Sequence, residues 1–324
     1  MDALERYQDV GGKAECFNRV PAQILVRVGP TMQRVAASAS HFIQSRYSLP
    51  NSLPDGSRRI FLFHVRKTAG TSLVRSFLAL GGEDPGAVER RISSSLLSRT
   101  RSGPYVVTCG RGTLQQGDYF FGWSHMAGHR LRLPSRTFTI ALLRDPVARV
   151  LSYYRYLVAG DPAQGDMAWR VQNDERALAG ESFSDFLKKV PDELILNQLY
   201  MFSQRFDVSE AVGRILECSA IMMTETYECD LRNLASTLGL ALKHRRERIT
   251  ALTEVPVEEK QMDALRDRVA PEYELLEKLG ASGRLRSSQE PQPNEVRTAE
   301  MAFSPVPLSG TGSAHQVDVP SVAQ

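Results

Sequence analysis

The stretch from Arg58 to Leu80, RRIFLFHVRKTAGTSLVRSFLAL, constrains the fold of this chain more than any other. Ile60 to Val65 is a short, almost continuous apolar run, the pattern of a strand buried on both faces of a parallel sheet. It stops at Arg66-Lys67. Thr68, Ala69, Gly70, Thr71 and Ser72 are all small, and such a loop lets main-chain N–H groups close on an anion while hydroxyls add donors. Helical spacing then begins, with Leu73, Phe77 and Leu80 on one apolar face, Val74 and Leu78 beside them, and Gly81-Gly82 as a stop. The expectation is strand, anion-binding loop and helix, with the positive end of the helix directed at whatever the loop holds.

The rest of the chain gives this unit room. At 324 residues and 42% hydrophobic content it can bury one large α/β core. A formal charge of +3 is too small to argue for nucleic acid. The four cysteines, Cys16, Cys109, Cys218 and Cys229, are scattered without CxxC pairing or zinc-ligand spacing, which favours a reducing compartment. No signal-peptide core and no transmembrane run is present, since the best apolar stretch, Ile24 to Ile43, is broken by Arg27 and Arg34. A cytoplasmic protein is expected.

Further strands are expected at Pro104 to Cys109, Tyr119 to Ser124 and Ala220 to Met223, and a strong buried one at Thr137 to Leu143, which also ends at an arginine, Arg144. Asp145-Pro146 reads as a helix start, and Val147, Val150, Leu151, Tyr154 and Leu157 follow at helical spacing. Ser182 and Ser209 precede two short helices. Cys229 to Leu238 ends at Gly239, and Val257 to Leu279 is helical with Pro271 expected to split it. Residues 1–57 read as an N-terminal extension, partly helical. Residues 281–324, rich in Ser, Pro and Gly, read as a disordered tail, which leaves one domain at 58–280.

Two constellations carry chemistry. The loop is not a Walker A motif, because there the lysine follows the turn as GKS or GKT, and here Lys67 precedes Gly70. A lysine at the strand end can neutralise charge on a bridging or leaving-group oxygen. On its own, the loop is explained equally well as an ordinary turn with a surface lysine. The second constellation is LLRDPVARVLSYY, where Arg144 leaves a strand end and Ser152 lies eight residues on, about two helical turns away. A guanidinium and a hydroxyl so placed suit a phosphate, while a capped helix with Arg144 paired to a carboxylate is the plainer reading. His125 and His129, in WSHMAGHRL, are candidates for a base near neutral pH; the alternatives are a buried or an exposed loop histidine. His64 is expected to pack or hydrogen-bond. Arg130, Arg132 and Arg136 either face an acidic acceptor or are plain surface charges, and KHRRER, Lys243 to Arg248, is first a solvated cluster.

Taken together, FLFHVRKTAGTSL and TIALLRDPVARVLSYY resemble the 5′-phosphosulfate loop and the 3′-phosphate motif of sulfotransferases that use 3′-phosphoadenosine 5′-phosphosulfate. The branch they resemble contains heparan sulfate 2-O-sulfotransferase and many bacterial carbohydrate sulfotransferases. The resemblance implies an α/β, P-loop-like three-layer fold with a central parallel sheet flanked by helices. It implies that Lys67, Thr68, Ala69, Gly70, Thr71 and Ser72 surround the 5′-phosphosulfate and that Arg144 and Ser152 hold the 3′-phosphate. The family's catalytic histidine sits in a loop some twenty residues before the RDP motif; His125, 19 residues before Arg144, fits better than His129 at 15. Arg245 and Arg246 become a candidate clamp. One departure stands out: the family usually has proline where this chain has Arg66.

The resulting expectation is a sulfotransferase moving a sulfuryl group to the hydroxyl of a carbohydrate or glycolipid. His125 and Lys67 are its catalytic residues, the nucleotide is its co-substrate, and the scheme requires no metal. Competing expectations are a P-loop-type kinase, opposed by the missing Walker order, and a non-catalytic nucleotide-binding protein on the same fold.

Overall fold

The computed structural model describes residues 53–95, 97–99, 105–159, 173–245 and 257–285. Most of the expected N-terminal extension and C-terminal tail therefore lies outside the described residues. Six strands form one sheet: β1 (Arg59–Phe63), β2 (Leu97–Arg99), β3 (Val106–Thr108), β4 (Phe121–Ser124), β5 (Thr137–Leu143) and β6 (Ala220–Met223), in the order β2-β3-β4-β1-β5-β6. Five strands run parallel, and only the short edge strand β2 is antiparallel to its neighbour. The helices among the described residues are α1 (Gly70–Leu78), α2 (Pro85–Ser95), α3 (Arg111–Gln116), α4 (Pro146–Ala159), α5 (Asn173–Ala177) and α6 (Phe183–Lys189). They continue with α7 (Asp192–Ile195), α8 (Asn197–Phe202), α9 (Val208–Leu216), α10 (Tyr227–Leu238) and α11 (Glu259–Ala281).

Alternation along the central strands sorts the core into two layers. Ile60 and Leu62 of β1, with Ile140 and Leu142 of β5, pack under Leu73, Val74 and Phe77 of α1 and Leu231 and Leu234 of α10. Ala141 and Leu143, on the other face, meet Val150 and Tyr154 of α4, Phe186 of α6, Leu199 of α8 and Leu265 and Val269 of α11. Helices on both faces explain why β1 and β5 read as unbroken apolar runs. Among the described residues no helix is long and apolar enough to cross a membrane.

Local chemistry agrees with most of the expected elements. Asp145 caps α4 by accepting the Ala148 N–H at 2.7 Å, and Ser182 caps α6 through the Asp185 N–H. Gly239 closes α10 in the left-handed conformation. Two expectations are corrected. The helix after Phe206 is capped by Asp207, whose side chain accepts the Glu210 N–H, and Ser209 lies inside it. Pro271 does not split the C-terminal helix, which runs unbroken from Glu259 to Ala281. Its neighbour Glu272 is fully buried, and its carboxylate accepts the Gln198 main-chain N–H at 2.7 Å and pairs with Arg149 at 3.3 Å. These tertiary contacts hold the segment helical past the proline and outweigh its local cost of about 3 kcal/mol.

Candidate active site

Strand order decides which residues meet. β1 lies between β4 and β5, with Phe63 opposite Ser124 on one side and Ala141 on the other. The chain leaves these three parallel strands at the same edge, so His64 to Ala69, His125 and Arg144 emerge side by side. In open α/β sheets this is the edge where ligands bind.

The loop after β1 turns through two left-handed non-glycine residues, Lys67 (φ 68°) and Ala69 (φ 61°). Each costs about 1–2 kcal/mol and so requires support from its surroundings. Part of that support is internal: the buried Thr68 hydroxyl donates to the Val65 carbonyl at 3.0 Å. Ala69 then starts α1 with no side-chain cap, and the first turn has no acidic residue. Ser72 N–H bonds back to Ala69 O at 2.9 Å, while Gly70 and Thr71 stand in the first turn, ahead of any intrahelical acceptor. An uncapped helix start without local negative charge suits an anion.

Gly70 is glycine because of His64. A Cβ at residue 70 would lie 2.1 Å from His64 Cδ2 and 2.3 Å from Nε2. The buried His64 ring is in turn stacked on His125, with centroids 4.0 Å apart and 27° between planes. His125 Nδ1 lies 2.7 Å from the His64 carbonyl oxygen. A carbonyl only accepts, so Nδ1 carries the hydrogen of the neutral ring and the proton-accepting lone pair sits on Nε2.

Arg144 joins the second constellation to the first. Its Nη1 donates to the Lys67 carbonyl at 3.1 Å across 77 residues of sequence. Its own N–H is held by Gln198 Oε1 at 2.8 Å, and Gln198 Nε2 donates to Glu272 at 3.0 Å. Burial pulls the Arg144 guanidinium below its ordinary value, opposed by the nearby carboxylates Glu225 and Asp145. Its Nε is buried without a hydrogen-bond partner among the described residues, a state worth about 1–3 kcal/mol to any ligand that supplies an acceptor. Ser152, half-buried, is one turn before Tyr156 on α4 and therefore shares its face; Lys67 Nζ sits 4.4 Å above the Tyr156 ring. Lys67, Arg144 and the Ser152 face of α4 thus converge.

The other sequence candidates fall elsewhere. His129 lies on a short 3-10 turn, edge-on to Tyr200 at 5.5 Å. Both its ring nitrogens are buried without partners among the described residues, and burial, reinforced by Arg130 and Arg214, lowers its pKa. The Arg136 guanidinium is tied to the Gly56 carbonyl, so it braces the loop before β1. Arg132 is exposed. The Lys243 carbonyl accepts from Ser76 of α1 at 2.7 Å, which sets the start of the basic run beside that helix. Arg245 buries its Nε there, whereas Arg246 to Arg248 lie outside the described residues.

Sequence reasoning missed Asn197, Gln198, Glu175 and Tyr153, all of which support the loop or Arg144. Adjacent amides in the apolar run ELILNQLYMF were the available signal, since buried polar side chains need partners.

A mostly parallel sheet covered on both faces, with a strand, a tight loop of small residues and a helix at its central strand, defines an α/β protein of the P-loop-like class. A model of the sulfotransferase family matches residues 51–262. That is about two thirds of the chain and includes Lys67 to Ser72, His125, Arg144 and Ser152, so the chain belongs to the sulfotransferase family. No curated protein matches it closely enough to count as a relative.

Proposed function

We propose that the protein transfers a sulfuryl group from 3′-phosphoadenosine 5′-phosphosulfate to a hydroxyl of a carbohydrate or glycolipid. The observation that carries this reading is the Arg144 bond to the Lys67 carbonyl, which brings the two motifs together at one sheet edge. The buried, unpartnered Nε of Arg144 adds a donor suited to the oxygens of a phosphate. The acceptor class rests on the resemblance to carbohydrate sulfotransferases.

The nucleotide supplies the activated sulfuryl group. Main-chain N–H groups of Lys67 to Thr71 and the start of α1 hold its 5′ end, with the Ser72 side chain beside them. Arg144 and Ser152 hold its 3′-phosphate. His125 Nε2 takes the proton of the acceptor hydroxyl as that oxygen bonds to sulfur and the bond from sulfur to the 5′-phosphate oxygen breaks. Lys67 neutralises the charge left on that oxygen. His125 is favoured over His129 because its Nδ1–H is oriented by the His64 carbonyl and the ring is exposed, whereas both His129 nitrogens are buried.

Transfer of radiolabelled sulfate to a panel of glycans and glycolipids tests the proposal. Lys67→Ala and His125→Ala abolish turnover with the melting temperature preserved, and His129→Ala retains it. Full activity of His125→Ala refutes the base assignment, and phosphoryl transfer from ATP by the wild type refutes the reaction.

A further inference from the structure

Arg66 stands where the sequence resemblance implies proline, and its contacts give the difference a use. Its main-chain N–H, which proline lacks, donates to Asn197 Oδ1 at 3.0 Å. Its guanidinium donates to Glu175 Oε1 at 3.1 Å, and the same oxygen accepts the Tyr153 hydroxyl at 2.8 Å. Tyr153 directly follows Ser152 on α4. The path therefore runs from the residue before Lys67 to the residue after Ser152, and it joins the two halves of the site by side chains alone. The Glu175 side chain is 10% exposed against 33% for Arg66. A carboxylate so buried needs donors in place, and here Arg66 and Tyr153 supply them.

We propose that Arg66, Glu175 and Tyr153 form a brace that fixes Lys67 relative to α4, so that Arg66 and Glu175 are positioning residues for the transfer step. This rests on the sulfotransferase reading. Lys67 is held left-handed at φ 68°, and its carbonyl side is pinned by Arg144. The brace pins its amino side. Releasing one side lets Lys67 relax toward extended geometry and carries Nζ away from the reacting oxygen. Arg144, Ser152 and the start of α1 stay in place, so nucleotide affinity changes little while turnover falls.

The test is steady-state sulfuryl transfer by wild type, Arg66→Met, Arg66→Lys, Glu175→Gln and the Arg66→Met/Glu175→Gln double variant, with melting temperature and equilibrium binding of 3′-phosphoadenosine 5′-phosphate measured for each. Glu175→Gln is isosteric and keeps an oxygen that accepts from Tyr153, so the fold survives, while it removes the charge that pairs with Arg66. Arg66→Met and Glu175→Gln each lower kcat about tenfold, in line with the cost of misplacing a catalytic group. Both leave the nucleotide Kd within about twofold, and the double variant is no slower than the slower single because the pair acts as a unit. Arg66→Lys recovers part of the rate. Wild-type kcat in either single variant overturns the brace, as do losses that multiply in the double variant or a Kd that rises in step with the fall in kcat. A wild-type chain that neither binds the nucleotide nor transfers sulfate overturns the underlying activity instead.

Discussion

Replacing Gly70 with alanine tests the packing of the loop against the two histidines. In an ordinary helix the change stabilises by up to about 1 kcal/mol, because alanine loses less backbone entropy. Here the new Cβ would stand 2.1 Å from His64 Cδ2, whereas ordinary contact begins at 3.4 Å. The ring must retreat by about 1.3 Å, the difference between those distances, which disturbs its 4.0 Å stack on His125. Overpacking of this kind costs about 1–3 kcal/mol, enough to cancel or reverse the helix gain. For a domain of this size each kcal/mol moves the melting temperature by about 2–4 °C, so a fall of a few degrees is expected where helix propensity alone predicts a rise. Turnover falls more steeply, by about one to two orders of magnitude, since misplacing a catalytic group by about an ångström costs about that much. Differential scanning fluorimetry and a sulfate-transfer assay on Gly70→Ala, His64→Ala and the double variant give both quantities. In the double variant the clash is gone, so adding Gly70→Ala to His64→Ala is neutral or stabilising. A Gly70→Ala protein that melts above wild type and turns over normally refutes the reasoning.

Other predictions follow from buried and local contacts. Glu272→Ala strands the fully buried Arg149 charge and should cost about 3–5 kcal/mol, which lowers the urea midpoint by at least about 1 M; an unchanged midpoint contradicts the assigned pairing. His129 has a folded pKa below its ordinary value of 6.5, so the unfolded chain binds its proton first. Its neutral form contributes full stability above pH 6.5, and that contribution is lost as pH falls below 6.5 toward the folded pKa. His129→Phe should therefore lose less melting temperature than wild type between neutral and mildly acidic buffer, and equal slopes count against the burial argument. Asp207→Ala removes the cap of α9 and should cost about 1 kcal/mol, whereas Ser209→Ala should be near neutral; chemical denaturation distinguishes them.

What was legible in the sequence was local. Thr137 to Leu143 announced β5 because both its faces are covered, and Asp145-Pro146 announced α4 because capping needs only adjacent residues. Ser209 reads as the residue before the helix because it and Asp207 are both good cap formers two positions apart, and where the helix starts depends on where the chain turns. Pro271 looked like a break because its penalty is local, while the contacts of Glu272 that override it come from Arg149 and Gln198, far away in sequence. The loop and the arginine of the site were readable as motifs. Their supports were not, since Asn197 reaches Arg66 across 131 residues and Gln198 reaches Arg144 across 54. The three-residue strand β2 was too short for any alternation to register.

The central claim is that one site grips a nucleotide at both its 5′ and 3′ ends, with Arg144 at the second. Calorimetric titration of wild type and Arg144→Ala with 3′-phosphoadenosine 5′-phosphate, AMP and ATP tests it most directly. The account predicts that wild type binds the bisphosphate more tightly than AMP by at least about tenfold, the worth of one charge-assisted contact of about 1.5–3 kcal/mol, and that Arg144→Ala binds the two nearly equally. Tighter binding of ATP than of the bisphosphate, or a preference that survives the loss of Arg144, contradicts it.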